Sequence, residues 1–206
     1  PEKVHWDNWI GVAPTRPYKS KIYHSFNWRA WQDFSNGQLG DFGCHILDPV
    51  FQALDLTAPL TVRAEAPSIN REVWTKRALV RYEFPGTART LGKTLKVTWY
   101  DGEDHMPPRE AHGLPPDLKL PKSGSVLLGE KGTLLIPHVA MPRVFSAQKG
   151  DVAIEKVAPR NHHTSWVDAC RGGGTPTSTF DYAGGLTERW LLGSIAVLVP
   201  AARLPG

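Results

Sequence analysis

Ala78-Leu79-Val80-Arg81-Tyr82-Glu83-Phe84 sets Ala78, Val80, Tyr82 and Phe84 against Leu79, Arg81 and Glu83, two groups that point to opposite faces of an extended chain. The first group is apolar throughout, so the segment reads as a strand with one buried and one wet face. Residues 61–66 and 94–100 share the same period of two and should pair with it in one sheet. Asp101-Gly102 closes the third strand with turn chemistry, and the five prolines of residues 106–122 mark a long loop. Two further strands are predicted at 125–128 and 133–136, joined through Gly129-Glu130-Lys131-Gly132 as a hairpin. Another pair is predicted at 144–147 and 152–157, turning at Lys149-Gly150-Asp151.

Upstream of the strands lies Gly40-Asp41-Phe42-Gly43-Cys44-His45-Ile46-Leu47-Asp48-Pro49. Asp41, His45 and Asp48 stand at i, i+4 and i+7, a narrow stripe at ~100° per residue, while Leu39, Gly43, Ile46, Val50, Phe51 and Leu54 gather opposite. Such a stripe is either a solvated helix face or a proton-transfer pair, in which the carboxylate orients the imidazole and raises its basicity. Pro49 cannot donate to a preceding carbonyl, so the helix either kinks there or a second helix begins with Asp48 as N-cap. Residues 1–31 carry little periodicity and read as an extended, loop-rich arm holding Trp6, Trp9, Trp28 and Trp31. At the other end, a short helix over 165–171 should stop at Gly172-Gly173-Gly174, and Asp181 should cap a longer one running to about Val199 and stopped by Pro200. An arm, a helix, a block of strands and then helices argue an α+β fold. The expectation is one domain over 1–206, a mostly antiparallel, open-faced sheet with helices packed on one face.

The formal charge is +4 with scattered Lys and Arg, which does not suggest nucleic acid. Two cysteines form neither a disulfide framework nor a metal knuckle, and the most apolar run, 190–199, is too short to span a bilayer. A soluble protein of a reducing compartment, the cytoplasm, is expected. The tryptophans either fill a core or form the apolar walls of a sugar or polyol site.

No glycine fingerprint for a dinucleotide is found: Gly172-Gly173-Gly174 has Thr175 next and follows a helix instead of a strand. Ser165 near His162-His163, and Cys44 beside His45, lack the setting that activates a nucleophile. A metal held by Asp41, His45 and Asp48 would need ligands beyond one kinked helix, so no metal is expected.

Trp6-Asp7-Asn8-Trp9-Ile10-Gly11, Phe26-Asn27-Trp28-Arg29, Gly40-Asp41-Phe42-Gly43-Cys44-His45-Ile46-Leu47-Asp48, Trp99-Tyr100-Asp101-Gly102, Gly129-Glu130-Lys131-Gly132-Thr133-Leu134, Trp166-Val167-Asp168-Ala169-Cys170-Arg171-Gly172-Gly173 and Phe180-Asp181-Tyr182-Ala183-Gly184 together resemble the glucose-fructose oxidoreductase / inositol dehydrogenase / rhizopine-catabolism (Gfo/Idh/MocA) family. The resemblance implies the family's C-terminal substrate-binding and oligomerisation domain, with the N-terminal Rossmann domain, and so the NAD or NADP site, outside this chain. It implies a catalytic pair, His45 as base and Asp41 as its partner, with Arg29, Trp28, Tyr23 and Tyr100 near a sugar or polyol substrate. It also implies a homo-oligomer built through the open sheet face, and a chain inactive by itself. The alternatives are a stand-alone carbohydrate-binding or assembly module and an NAD-dependent glycoside-cleaving enzyme.

Overall fold

The alternation of residues 78–84 becomes the central strand of a four-stranded antiparallel sheet. The computed structural model describes residues 3–67, 70–102, 105–108, 112–146, 148, 150–155, 157–199 and 204–205. They fall into two compact units, Pro1–Pro107 with Arg189–Gly206, and Pro108–Glu188. In the first unit β1 (Thr61–Glu65), β2 (Ala78–Pro85) and β3 (Thr94–Asp101) pair in the order β3-β2-β1, and β8 (Leu204–Pro205) extends the β1 edge. The register sets Val62 opposite Tyr82, Ala64 opposite Val80, and Trp99 opposite Val80. All of these side chains are buried on one face, with Phe84 and Val80 fully enclosed. The other face carries exposed Arg63, Glu65, Arg81 and Lys96, with Arg81 paired to Glu65.

Helices cover the apolar face, as the α+β reading requires. In α3 (Asp48–Leu54), Phe51 meets Phe84 edge-on at 5.3 Å between ring centroids. The long α5 (Phe180–Leu198) starts in the second unit and ends in the first, where the Trp190 carbonyl accepts a 2.7 Å hydrogen bond from the Tyr82 hydroxyl. Burial pushes the Tyr82 phenol well up, so it stays a donor at any ordinary pH. Helix α2 (Gly37–Ile46) buries Leu39, Gly43 and Ile46 of the apolar stripe anticipated from spacing, and Gly37 with them.

The second helix at Pro49 exists, but its boundary corrects the expected cap. Leu47 holds the N-cap position with helical torsions, and Asp48 and Pro49 form the first turn of α3. The chain thus runs from α2 into α3 with hardly a break, because Pro49 falls where an N–H has no helical partner anyway. The arm is also more structured than its composition suggests. Trp6 and Trp9, three residues apart on α1 (Trp6–Ile10), stack at 4.9 Å, and Tyr23 joins Trp6, Trp31 and Phe34. Aromatic contact area replaces the missing periodicity.

The second unit holds β4 (Gly124–Gly129), β5 (Gly132–Pro137), β6 (Arg143–Ser146) and β7 (Gly150–Val152), antiparallel and in sequence order. Gly129 and Gly132 face each other across the predicted hairpin. The last turn sits earlier than expected, since Ser146 already pairs with Gly150; residues 147 and 149 lie outside the described ones. Leu114, Leu135 and Phe145 form a small core supported by Leu118, Leu120 and Val126. α4 (His162–Cys170) begins earlier than predicted, because the Asn161 side chain accepts from the Thr164 N–H at 3.1 Å. It ends at Cys170, and Gly172, just past the Arg171 cap, takes a φ of 81° that favours glycine. For α5 the cap is Thr179, whose hydroxyl accepts from the Tyr182 N–H at 3.3 Å, so Asp181 belongs to the first turn and is not the N-cap. Pro200, its expected stop, lies outside the described residues.

Candidate functional site

Helix α2 turns its buried stripe inward, which leaves Asp41, Cys44 and His45 on the accessible side. Residues one turn apart on a helix are neighbours, so Asp41 and His45 share a face. The principal partner of Asp41, however, comes from another element. A 3-10 turn, Asn27–Ala30, places Arg29 so that its Nε donates to Asp41 Oδ2 at 2.6 Å. The guanidinium lies 4.5 Å from the Trp28 ring centroid and 5.1 Å from that of Phe26. Two aromatic faces and one carboxylate therefore fix a charged fork whose side chain remains 31% exposed, against 20% for Asp41. His45 is exposed, and its ring meets Phe42 edge-on at 5.6 Å.

Arg29, Trp28 and Asp41 are thus brought into contact, with His45 beside them on α2. Tyr23 is placed otherwise: it is 6% exposed inside the aromatic cluster of the arm, 4.8 Å from Trp31. Tyr100 lies on β3 in register with Leu79, in the row of Lys96 and Thr98, on the face away from α3 and α5. Its ring packs against His105 at 5.4 Å. Cys44 makes a poor nucleophile, since desolvation and the Asp41 and Asp48 charges push its thiol up. Among the described residues no cluster of three or more His, Cys, Asp or Glu is placed to hold a metal ion.

The sequence marked Asp101 only as a turn residue. It ends β3 on the same face as Trp99, and burial pushes its carboxyl up from 3.8 to about 6, against the opposing pull of the Gly102 N–H. The Trp99 indole N–H, buried and without a hydrogen-bond partner among the described residues, pulls the same way as the Gly102 N–H. Unfolded, this carboxyl loses its proton near pH 4, before the folded form does at about 6. Between those values the folded chain binds more protons, so stability falls as pH rises, then levels off above ~6. One pKa unit is about 1.4 kcal/mol, and solvent screening of the half-buried group brings the expected loss to roughly 1–2 kcal/mol. Asp101→Asn should abolish that loss, which urea titrations at pH 4.5 and pH 7 would reveal as a smaller change in midpoint than in the unsubstituted chain.

Residues 1–93 match the sequence model of the oxidoreductase family, C-terminal alpha/beta domain. Over those residues the chain is similar to the C-terminal domain of the Gfo/Idh/MocA oxidoreductases. No curated protein matches the chain. The Gfo/Idh/MocA match takes in α1 through β2, and with them Arg29, Trp28, Asp41, His45 and Tyr23, whereas Tyr100 and Asp101 lie beyond it. No helix among the described residues is long and apolar enough to cross a membrane.

Proposed function

We propose that this chain is the substrate-binding domain of an NAD(P)-dependent oxidoreductase acting on a hydroxyl of a sugar or polyol. The observation that carries the reading is the Arg29–Asp41 ion pair beside His45 within the residues matched to the oxidoreductase family. His45 takes the proton of the reacting hydroxyl, which an imidazole can do near neutrality. Asp41, one helical turn away, offsets the charge of the imidazolium that forms. Arg29, held by Trp28 and Phe26, donates to substrate oxygens and fixes their position.

The described residues do not fit a dinucleotide. A pyrophosphate needs backbone N–H groups at a helix N-terminus after a glycine turn, but Gly172, Gly173 and Gly174 follow the C-terminus of α4. Hydride acceptance, the chemistry NAD or NADP supplies, is therefore assigned to a separate Rossmann domain and to no residue here. The open sheet face, with Arg63, Arg81 and Lys96, is the surface this reading assigns to self-association.

Calorimetric titration of the 206-residue chain with NAD⁺ should give no tight binding. A micromolar Kd would overturn the division of labour. A stand-alone binding module would bind sugar, and fusing it to a Rossmann domain would give no NAD(P)-linked turnover dependent on His45.

A further inference from the structure

The Nε of Arg29 is committed to Asp41 Oδ2, but its two terminal nitrogens make no hydrogen bond among the described residues, and neither does Asp41 Oδ1. Both side chains are partly open to solvent. The pair therefore offers four unused N–H donors next to an unused carboxylate oxygen, with the two charges cancelling. A hydroxyl both donates and accepts, so two adjacent hydroxyls can donate a hydrogen bond to Oδ1 and accept hydrogen bonds from the guanidinium fork. A carboxylate or phosphate would satisfy the fork but meet the negative Oδ1 with no proton to offer. An unpaired arginine would favour the anion; this paired one does not.

The guanidinium is also pre-organised. It lies against Trp28 and near Phe26, so little side-chain freedom remains to be lost when a ligand docks. We infer that the Arg29–Asp41 pair is a specificity device that selects an uncharged vicinal diol and rejects sugars bearing carboxylate or phosphate at that position. This rests on the oxidoreductase reading for the identity of the ligand as a sugar or polyol. It adds charge class and the group recognised.

Saturation-transfer NMR on the 206-residue chain can test it with no cofactor present, comparing myo-inositol and methyl glucoside with glucuronate and glucose 6-phosphate at equal ionic strength. The neutral ligands should bind at least fivefold better than the anions. Asp41→Asn, which removes the compensating charge, should shift the neutral-to-anion ratio at least tenfold towards the anions, a change that loss of packing alone would not produce. Arg29→Gln should weaken every ligand. If Asp41→Asn fails to give a cooperative melt, Arg29→Lys takes its place: it keeps the charge and loses the fork, and should weaken neutral diols at least fivefold. Preference of the unsubstituted chain for the anions, an unchanged ratio in Asp41→Asn, unchanged diol binding in Arg29→Lys, or no binding of any ligand would each overturn the inference. Hydride transfer dependent on His45 would still stand or fall separately, so failure of the diol selection is distinguishable from failure of the oxidoreductase reading.

Discussion

On the proposed oxidoreductase reading, His45→Ala should lower NAD(P)-linked turnover at least ~100-fold, because general-base catalysis contributes ~10²- to 10⁴-fold. The cofactor Kd should hardly change, since no described residue near His45 forms a dinucleotide cradle. His45 is exposed on α2, and the residues that hold that helix in place are Gly37, Leu39, Gly43 and Ile46 on its opposite side. Alanine there removes an imidazole without opening a cavity, and it is a better helix former than histidine. The thermal midpoint should therefore stay close to that of the unsubstituted protein, so lost turnover would report chemistry and not folding. Added imidazole should restore part of the rate by taking the vacated position. Turnover within a factor of two of the unsubstituted enzyme would remove His45 from the reaction and leave the Arg29–Asp41 pair as a binding element only.

Residues with a strict local period were legible, and those fixed by contacts far along the chain were not. Ala78, Val80, Tyr82 and Phe84 announced β2 because every second side chain had to enter the core. The inward stripe of α2 was equally plain. Asp41 was a different case. Spacing gave it His45 as a neighbour, but its ion-pair partner Arg29 comes from a turn whose approach to α2 has no periodic signature. Asp101 escaped notice because a carboxylate before glycine reads as turn chemistry, and only the packing around Trp99 and β2 reveals its burial. The caps of α3 and α5 each slipped by one or two residues. In both, acidic residues suited to the cap fall in the first turn, where the helix dipole also favours them. Tyr23 looked like a ligand contact for the same reason that makes it a core residue: an aromatic ring with a polar tip serves either purpose, and here Trp6, Trp31 and Phe34 claim the ring.

Gly193→Ala should be among the most damaging single-methyl additions in the chain, lowering stability by about 1–3 kcal/mol, the usual range for overpacking a closed core. A Cβ at this position would overlap the Tyr82 hydroxyl oxygen and stand 2.7 Å from Leu39 Cδ2 and 2.9 Å from Tyr82 Cζ. Those neighbours have little room to retreat. The Tyr82 hydroxyl is held by its bond to the Trp190 carbonyl, one turn before Gly193 on α5, and its ring is 3% exposed. Relief by moving α5 away from β2 would break that buried hydrogen bond, whose loss adds a desolvation cost of about 1–3 kcal/mol. Relief on the other side pushes Leu39, and with it the helix that carries Asp41 and His45. Gly43, whose own Cβ would come within 2.9 Å of the Trp190 ring, shows that α2 and α5 already touch nearly backbone to side chain. A displaced α2 would lengthen the 2.6 Å Arg29–Asp41 contact, because Arg29 sits on a separate turn. Gly193→Ala should therefore weaken diol binding along with stability. Paired with Tyr82→Phe, which removes the oxygen the new methyl would strike, it should lose less stability than the sum of the two single substitutions. Chemical denaturation of the four proteins of that cycle measures the difference directly, and strict additivity would mean that the Tyr82 hydroxyl is not what the added methyl meets.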